Sequence, residues 1–355
     1  MSMVKGMRAG LMASILAGAA LATGVAHAQT GNVSTERPGS ILIFPKVVND
    51  DADTIIQITN TSNVLAHAHC FYVNGDTVNG QPLWQVTDFE IDLTRQQPTH
   101  WAASEGRAVN PLDSERGLDP GLIPPVVPGF TGFLTCVQTA EDGTPVSANS
   151  LIGVAAVGAI GTSTANNVSK YNATAIPGDP GQNDGDNILS LDDVEYARCP
   201  GGLYLNFQSE GSSDPVLDGS GNGPSTVSTN LSLVPCAMDF ENLEPATTSL
   251  SVGIRDEFET RTSVDGGFDI DCYFEGALSD APFSNQFALP TLFGNAILTP
   301  LATGLPPVLG VANVLRTAGD ATSDTAATNL HFCTDQTSPA QCISVDTEIR
   351  LPTFR

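Results

Sequence analysis

The chain has 355 residues, 14 Lys plus Arg against 39 Asp plus Glu, and a net charge of −25. A charge that negative repels nucleic acid and anionic membrane surfaces, so no nucleic-acid partner is expected. The length suits two domains of ordinary size.

The first 28 residues read as a signal peptide. Lys5 and Arg8 form a positive start, an Ala/Gly/Leu-rich apolar run follows, and Ala26-His27-Ala28 is an A-x-A cleavage site. Cleavage would start the mature chain near Gln29 and take its charge to −27. No transmembrane span is expected after cleavage. The destination is exported: periplasm, cell surface or exterior.

Beyond the leader, short alternating or β-branched runs recur between Gly, Pro, Asn, Asp and Ser clusters. "SILIFPKVV" is a strand closed by Pro45, and "DTIIQITNTSN" a strand running into a polar turn. "AHAHCFYVNGD" is a strand ending in Asn74-Gly75. "DFEIDLT" alternates Phe89, Ile91 and Leu93 with Asp88, Glu90 and Asp92. "GFLTCVQT" and "SLIGVAAVG" follow.

The second half echoes the first. "ILIFP" matches "LSLVP", "DTIIQIT" matches "TSLSVGI", and "AHAHCFYVNG" matches "GFDIDCYFEG". "GLIPPVVPG" matches "GLPPVLG", and "GFLTCVQT" matches "NLHFCTDQT". The expected fold is all-β, with two tandem immunoglobulin-like β-sandwich domains. The first spans 37–158 and the second 227–355. Residues 159–226, rich in Gly, Asp and Ser, form an elaborated connection carrying short strands. "ILIFPKVV…DTIIQITNTSN…AHCFYVNG", with "SKYNATAI", "EYARCP", "LVPC" and "TEIRLP", resembles a group of uncharacterised exported bacterial proteins with β-sandwich domains. That resemblance implies the fold and brings no activity, cofactor or site.

An exported chain meets an oxidising compartment, so its seven cysteines are expected to form disulfides. The repeat pairs Cys70 with Cys136 and Cys272 with Cys333. Cys199 with Cys236 is the next pair, and Cys342 is left as a free thiol. The rival pairing joins Cys333 to Cys342.

Three further features bear on function. His67 and His69 flank Ala68 on one strand, and alignment with Asp269 and Asp271 turns them outward, away from Cys70. Such a pair holds Cu²⁺ or Zn²⁺ if a third ligand, such as His100, arrives. Asp179, Asp184, Asp186, Asp192, Asp193 and Glu195 crowd a turn-rich loop that could bind Ca²⁺, although the EF-hand spacing is missed. Residues 281–315 carry no charge, yet five prolines rule out a spanning helix. Buried strands of the second sandwich, or an exposed face for self-association, are the two readings. No nucleophile elbow, P-loop, HExxH or dinucleotide motif is present. The expected function is therefore non-enzymatic, structural or adhesive at the cell exterior, with a periplasmic metal-binding protein as the alternative.

Overall fold

The computed structural model describes residues 32–79, 81–159, 168–214, 218, 224–263, 267–283, 285–318, 322–333 and 342–353. The leader expected over residues 1–28 lies outside them. The fold is all-β; α1 (Pro111–Ser114) is a single turn capped by Asn110.

The first sandwich uses β1 (Ile41–Asn49), β2 (Ala52–Asn60), β3 (Ala66–Asn74), β6 (Gln85–Leu93), β7 (Pro98–Ala102), β8 (Phe130–Thr139), β9 (Leu151–Ala159), β10 (Val168–Asn172) and β11 (Thr174–Ile176). A small hairpin, β4 (Thr77–Val78) and β5 (Gln81–Pro82), stands beside it. One layer runs β11-β1-β8-β3-β6 and the other β10-β9-β2-β7. The layers are joined in register at Asn49↔Asp53, where the chain folds from β1 into β2, and by the Gly39↔Leu151 bridge just ahead of β1. Leu42, Phe44, Cys70, Tyr72, Leu134 and Cys136 of one layer meet Ile56, Ile58, Trp101, Ala155 and Tyr171 of the other.

β1 does not stop at Pro45. Its pairing with β8 slips between Phe44 and Val47, so Pro45 and Lys46 sit in a bulge where no ladder N–H is needed. Strict alternation would put residue 46 with Leu42 and Phe44 inside the sandwich. The bulge reverses the parity, and Val47 enters that core instead.

The second sandwich uses β13 (Gly202–Gln208), β14 (Ser225–Pro235), β16 (Thr247–Asp256), β17 (Arg261–Ser263), β18 (Phe268–Asp271), β19 (Phe274–Ala277), β20 (Phe293–Pro300), β21 (Val308–Ala318), β22 (Thr322–Asn329) and β23 (His331–Cys333). One sheet runs β17-β16-β20-β13-β23, with β18 also on β16; the other runs β19-β14-β21-β22. Leu205, Leu231, Val252, Ile270, Phe283 and Leu298 are among its core residues. A third sheet, β12-β24-β15, is built from β12 (Ile188–Leu191), β15 (Met238–Asp239) and β24 (Thr347–Arg350).

These placements correct the expected boundaries. Residues 159–226 are not a separate connection: β10 and β11 complete the first sandwich, β13 is an inner strand of the second, and β12 pairs with the C-terminal β24. Nor are the two sandwiches independent. Ile41, Ile43, Phe71, Val73 and Phe133 on the outer side of the first sandwich share a core with Leu189, Ile349 and Phe240. Val234, Leu309 and Tyr273 of the second sandwich join the same core. Tyr273 lies so close to Gly75 that a Cβ there would overlap its ring.

Residues 281–315 supply strands and loops that are divided between core and surface. Phe283, Phe287, Leu298 and Val308 are core, while Phe293, Leu301 and Leu315 are the exposed large side chains of this stretch.

Three disulfides form: Cys70–Cys136, Cys199–Cys236 and Cys333–Cys342. Cys70 and Cys136 stand directly opposite on β3 and β8, with Cα atoms 4.0 Å apart. The expected Cys272–Cys333 pair is wrong, and so is a free Cys342. Cys272 is the free, buried thiol. The chain switches sheets at Cys272, which has φ of 62°, leaving β18 for β19. β18 lies on β16, whereas Cys333 lies on β23, three strand spacings from β16, roughly 14 Å. That exceeds the reach of a bridge, about 7 Å between Cα atoms.

Burial, helped by Asp271, pushes the Cys272 thiol up to about 12. A thiol reagent should therefore leave the native protein unlabelled and, in denaturant without reductant, modify one residue. Mapping that label to Cys342 would overturn the pairing.

Paired Cys→Ser replacements should rank by loop length. In the chain-entropy treatment the bridges spanning 66 and 37 residues are worth about 4 kcal/mol each and the one spanning 9 about 3 kcal/mol. Urea midpoints of the three double variants check the order.

Candidate functional site

Four places concentrate polar side chains. The first is the histidine strand. On the β3–β6 ladder His67 faces Asp92 and His69 faces Glu90. His67 Nδ1 contacts Asp92 Oδ1, and His69 Nε2 lies 3.0 Å from Asp88 Oδ2. Cys70 is on the opposite face, as expected. His69 points away from the Cys70 core, as expected, but it does not face solvent: it is 1% exposed. The side of β3 that carries it is roofed by the shared core, where its ring lies 4.2 Å from Phe71, which stacks on Phe240. His100 points outward from β7, in the other layer, so it cannot join them. His67 and His69 thus each contact a carboxylate of β6. Among the described residues no group of three or more His, Cys, Asp or Glu converges on a common point.

The second is the acidic loop. Its carboxylates close Asx-type turns by accepting nearby backbone N–H groups. Asp179 Oδ1 accepts from Gly181 (2.8 Å), Asp184 from Asp186 (3.0 Å) and Asp186 from Ile188 (2.7 Å). Asp192 accepts from Val194 and Glu195, and Asp193 from Arg198. Arg198 also donates to Asp346 at 2.6 Å. Asp179, Asp184, Asp186, Asp192 and Asp193 thus each accept a backbone N–H close by in the chain. Glu195 differs. It is 7% exposed, its Oε2 accepts from Ser190 N–H at 2.8 Å, and its Oε1 has no hydrogen-bond partner among the described residues. Burial pushes its carboxyl up, and the charges of Asp184 and Asp186 add to the shift.

The third is a cleft of about 500 Å³ between the β6–β7 turn and the loop around α1, lined in part by Arg95, His100, Arg107 and Leu118. Arg107 is held by Asp119 at 2.9 Å and Gly121 O at 3.1 Å. Burial raises the Asp119 carboxyl, but Arg107 and the N–H groups of Gly121 and Asn110 outweigh it and hold the group below the usual range. His100 has no hydrogen-bonding partner among the described residues, so no nucleophile–base–orienter relay is assembled here.

The fourth was not visible in the sequence. The bulge aims Lys46 out of the first sandwich and into the junction, where its Nζ meets Glu275 Oε1 of β19. The two side chains are 6% and 19% exposed. Lys46 Nζ also lies 3.5 Å from Ser232 Oγ. Glu275 Oε1 accepts from Asn230 Nδ2 at 3.2 Å, and Oε2 accepts from the Tyr273 hydroxyl at 2.7 Å. The Tyr171 hydroxyl donates to Lys46 O, and Lys46 N–H donates back to it at 3.3 Å. Asn172 and Asn329 add a reciprocal pair, N–H to Oδ1 at 3.0 Å and Nδ2 to O at 2.7 Å. Only Lys46 itself could be marked in advance as unusual, a charged residue inside an apolar strand. The partners of its ammonium lie 186 and 229 positions away.

The buried Glu195 yields a signed prediction. A carboxyl raised in the folded state stabilises the fold below its unfolded pKa and loses that contribution as pH rises through the folded value. Glu195→Gln keeps an acceptor for Ser190 N–H and cannot ionise. It should raise the urea midpoint relative to wild type at pH 7 and leave it little changed at pH 4. An equal shift at both pH values would show that ionisation of Glu195 is not involved.

No protein-family model and no curated protein matches the chain. A solved structure titled "Crystal Structure of Thermotoga maritima 1070" aligns at 8% identity over 39% of this chain and 92% of that one, with a TM-score of 0.25, a likeness that carries no argument.

Proposed function

We propose that the chain is an exported, non-enzymatic β-sandwich protein with a structural or adhesive role outside the inner membrane. The observation that carries this reading is the sealed junction: two sandwiches share one apolar core and one buried ion pair. Three disulfides add cross-links suited to an oxidising compartment. The chemistry of the chain is spent on rigidity. Asp residues close turns, histidines pair with strand-neighbouring carboxylates, and the buried lysine locks two bodies together.

Cell fractionation with protease accessibility of intact cells tests this. The protein is expected beyond the inner membrane, with its disulfides formed and the purified fold resistant to protease. Cytoplasmic retention with reduced cysteines would overturn the reading. Stoichiometric copper, zinc or calcium surviving desalting would instead favour a periplasmic metal-binding protein using His67 and His69 or the loop at 179–195.

A further inference from the structure

We propose that Lys46 and Asn230 become joined by an intramolecular isopeptide bond across the junction of the two sandwiches, with Glu275 acting as the proton-transfer group. The first ground is placement. One oxygen, Glu275 Oε1, contacts both the Lys46 amine and the Asn230 amide nitrogen. An amine and an acyl carbon are thereby held side by side by a carboxylate, the arrangement that makes an amide exchange effectively unimolecular. The second ground is the unmet carbonyl. Asn230 Oδ1 is buried and has no hydrogen-bond partner among the described residues. A buried acceptor left without a donor is costly, and amide formation aided by the acid form of Glu275 gives it one. The third is rigidity. Asn230 lies on β14, paired with β21 on one side and β19 on the other, and Glu275 lies on β19 opposite Ser232. Lys46 is fixed by its bulge and by Tyr171.

The step balances without an oxidant or cofactor. The Lys46 ammonium gives a proton to the Glu275 carboxylate and becomes a neutral amine. Nζ attacks Asn230 Cγ. The Glu275 acid, hydrogen-bonded to Oδ1 after rotation of the amide, stabilises the tetrahedral oxyanion. Collapse breaks the Cγ–Nδ2 bond, the departing nitrogen takes up one proton from Nζ and one from Glu275, which returns to its carboxylate, and ammonium leaves. The product is a Lys46 Nζ–Asn230 Cγ amide. Glu275 is the proton carrier of the step and not its acyl donor. Asn313, opposite Asn230 on β21, also has an unmet Oδ1 but makes no contact with Glu275.

This inference goes beyond the structural role proposed above and does not depend on it, since fractionation and site-resolved mass spectrometry fail independently. The experiment is peptide mapping of the purified, folded, full-length mature protein after reduction and alkylation. Trypsin should fail to cut after Lys46. Tandem mass spectrometry should find the Lys46 segment joined to the Asn230 segment, lighter by one ammonia than the two together. The intact mass is not enough, because an N-terminal Gln29 also loses ammonia on cyclising. Glu275→Gln should abolish the link. Asn230→Ala, which keeps the Lys46–Glu275 pair and removes the acyl donor, should abolish it too and guards against a Glu275 variant that does not fold. Complete cleavage after Lys46 in folded wild-type protein, with an unmodified Asn230 peptide, overturns the proposal. A link to Asn313 overturns the choice of Asn230.

Discussion

The relation between the two sandwiches depends on one irregularity in one strand. Without the slip at Pro45, residue 46 would point into the first core, and a lysine there would strand an ammonium among Phe44, Tyr72 and Ile56. Proline makes the slip cheap, because it has no N–H for the ladder to lose. Lys46 therefore leaves the first body and finds a carboxylate in the second. A buried ion pair is weak evidence of stability in itself, since removing two charges from water costs several kcal/mol per ion before attraction offsets it. What it supplies here is specificity. A sliding of the sandwiches by one strand position would leave the ammonium and the carboxylate buried and unmatched.

That constraint explains why β1, β3 and β8 are apolar on both sides. A sheet facing water on one side alternates, as β6 does with Phe89, Ile91 and Leu93 inward and Asp88, Glu90 and Asp92 exposed. β1 and β8 have almost no exposed residue, and β3 is nearly as dry. Their second face is covered by the three-stranded sheet and by Val234, Leu309 and Tyr273. Glycine fits the same logic at Gly75, where the Tyr273 ring occupies the space a side chain would need.

Much of this was legible, unevenly. The continuous apolar run of "ILIFPKVV" signals a strand buried on both faces, and the alternation of "DFEIDLT" signals one that is not. The pairings of "ILIFP" with the strand after "GLIPPVVPG", and of "LSLVP" with the strand after "GLPPVLG", do correspond, as β1–β8 and β14–β21. The fifth match misled. The strand equivalent to β8 is β21, so "NLHFC" falls on later strands and Cys333 has no counterpart in the first unit. The third match broke at Cys272, where a left-handed residue carries the chain from one sheet to the other. Composition cannot report such a switch. The same blindness hid the junction, because Lys46, Asn230 and Glu275 are brought together by sheet packing alone, with no local spacing to advertise them. His69 was misjudged for a related reason: alternation tells which residues share a face, not whether another body covers it.

The distribution of charge follows from these contacts. Carboxylates outnumber basic residues heavily, yet the carboxylates of the acidic loop accept from its own backbone and those of β6 stand on an edge strand. Charge on an edge discourages pairing with another chain. The β6 edge is further blunted because Asp92 N–H is taken by Pro120 O from the loop beside α1. Basic residues are placed more sparingly. Arg107 and Arg198 tie loop segments to one another, and Lys46 joins the two sandwiches. In a chain this acidic a stray cation on the surface would find a carboxylate almost anywhere. Burying Lys46 at the junction leaves Glu275 as the carboxylate it meets, so the ion pair joins the shared apolar core in fixing how the two sandwiches sit.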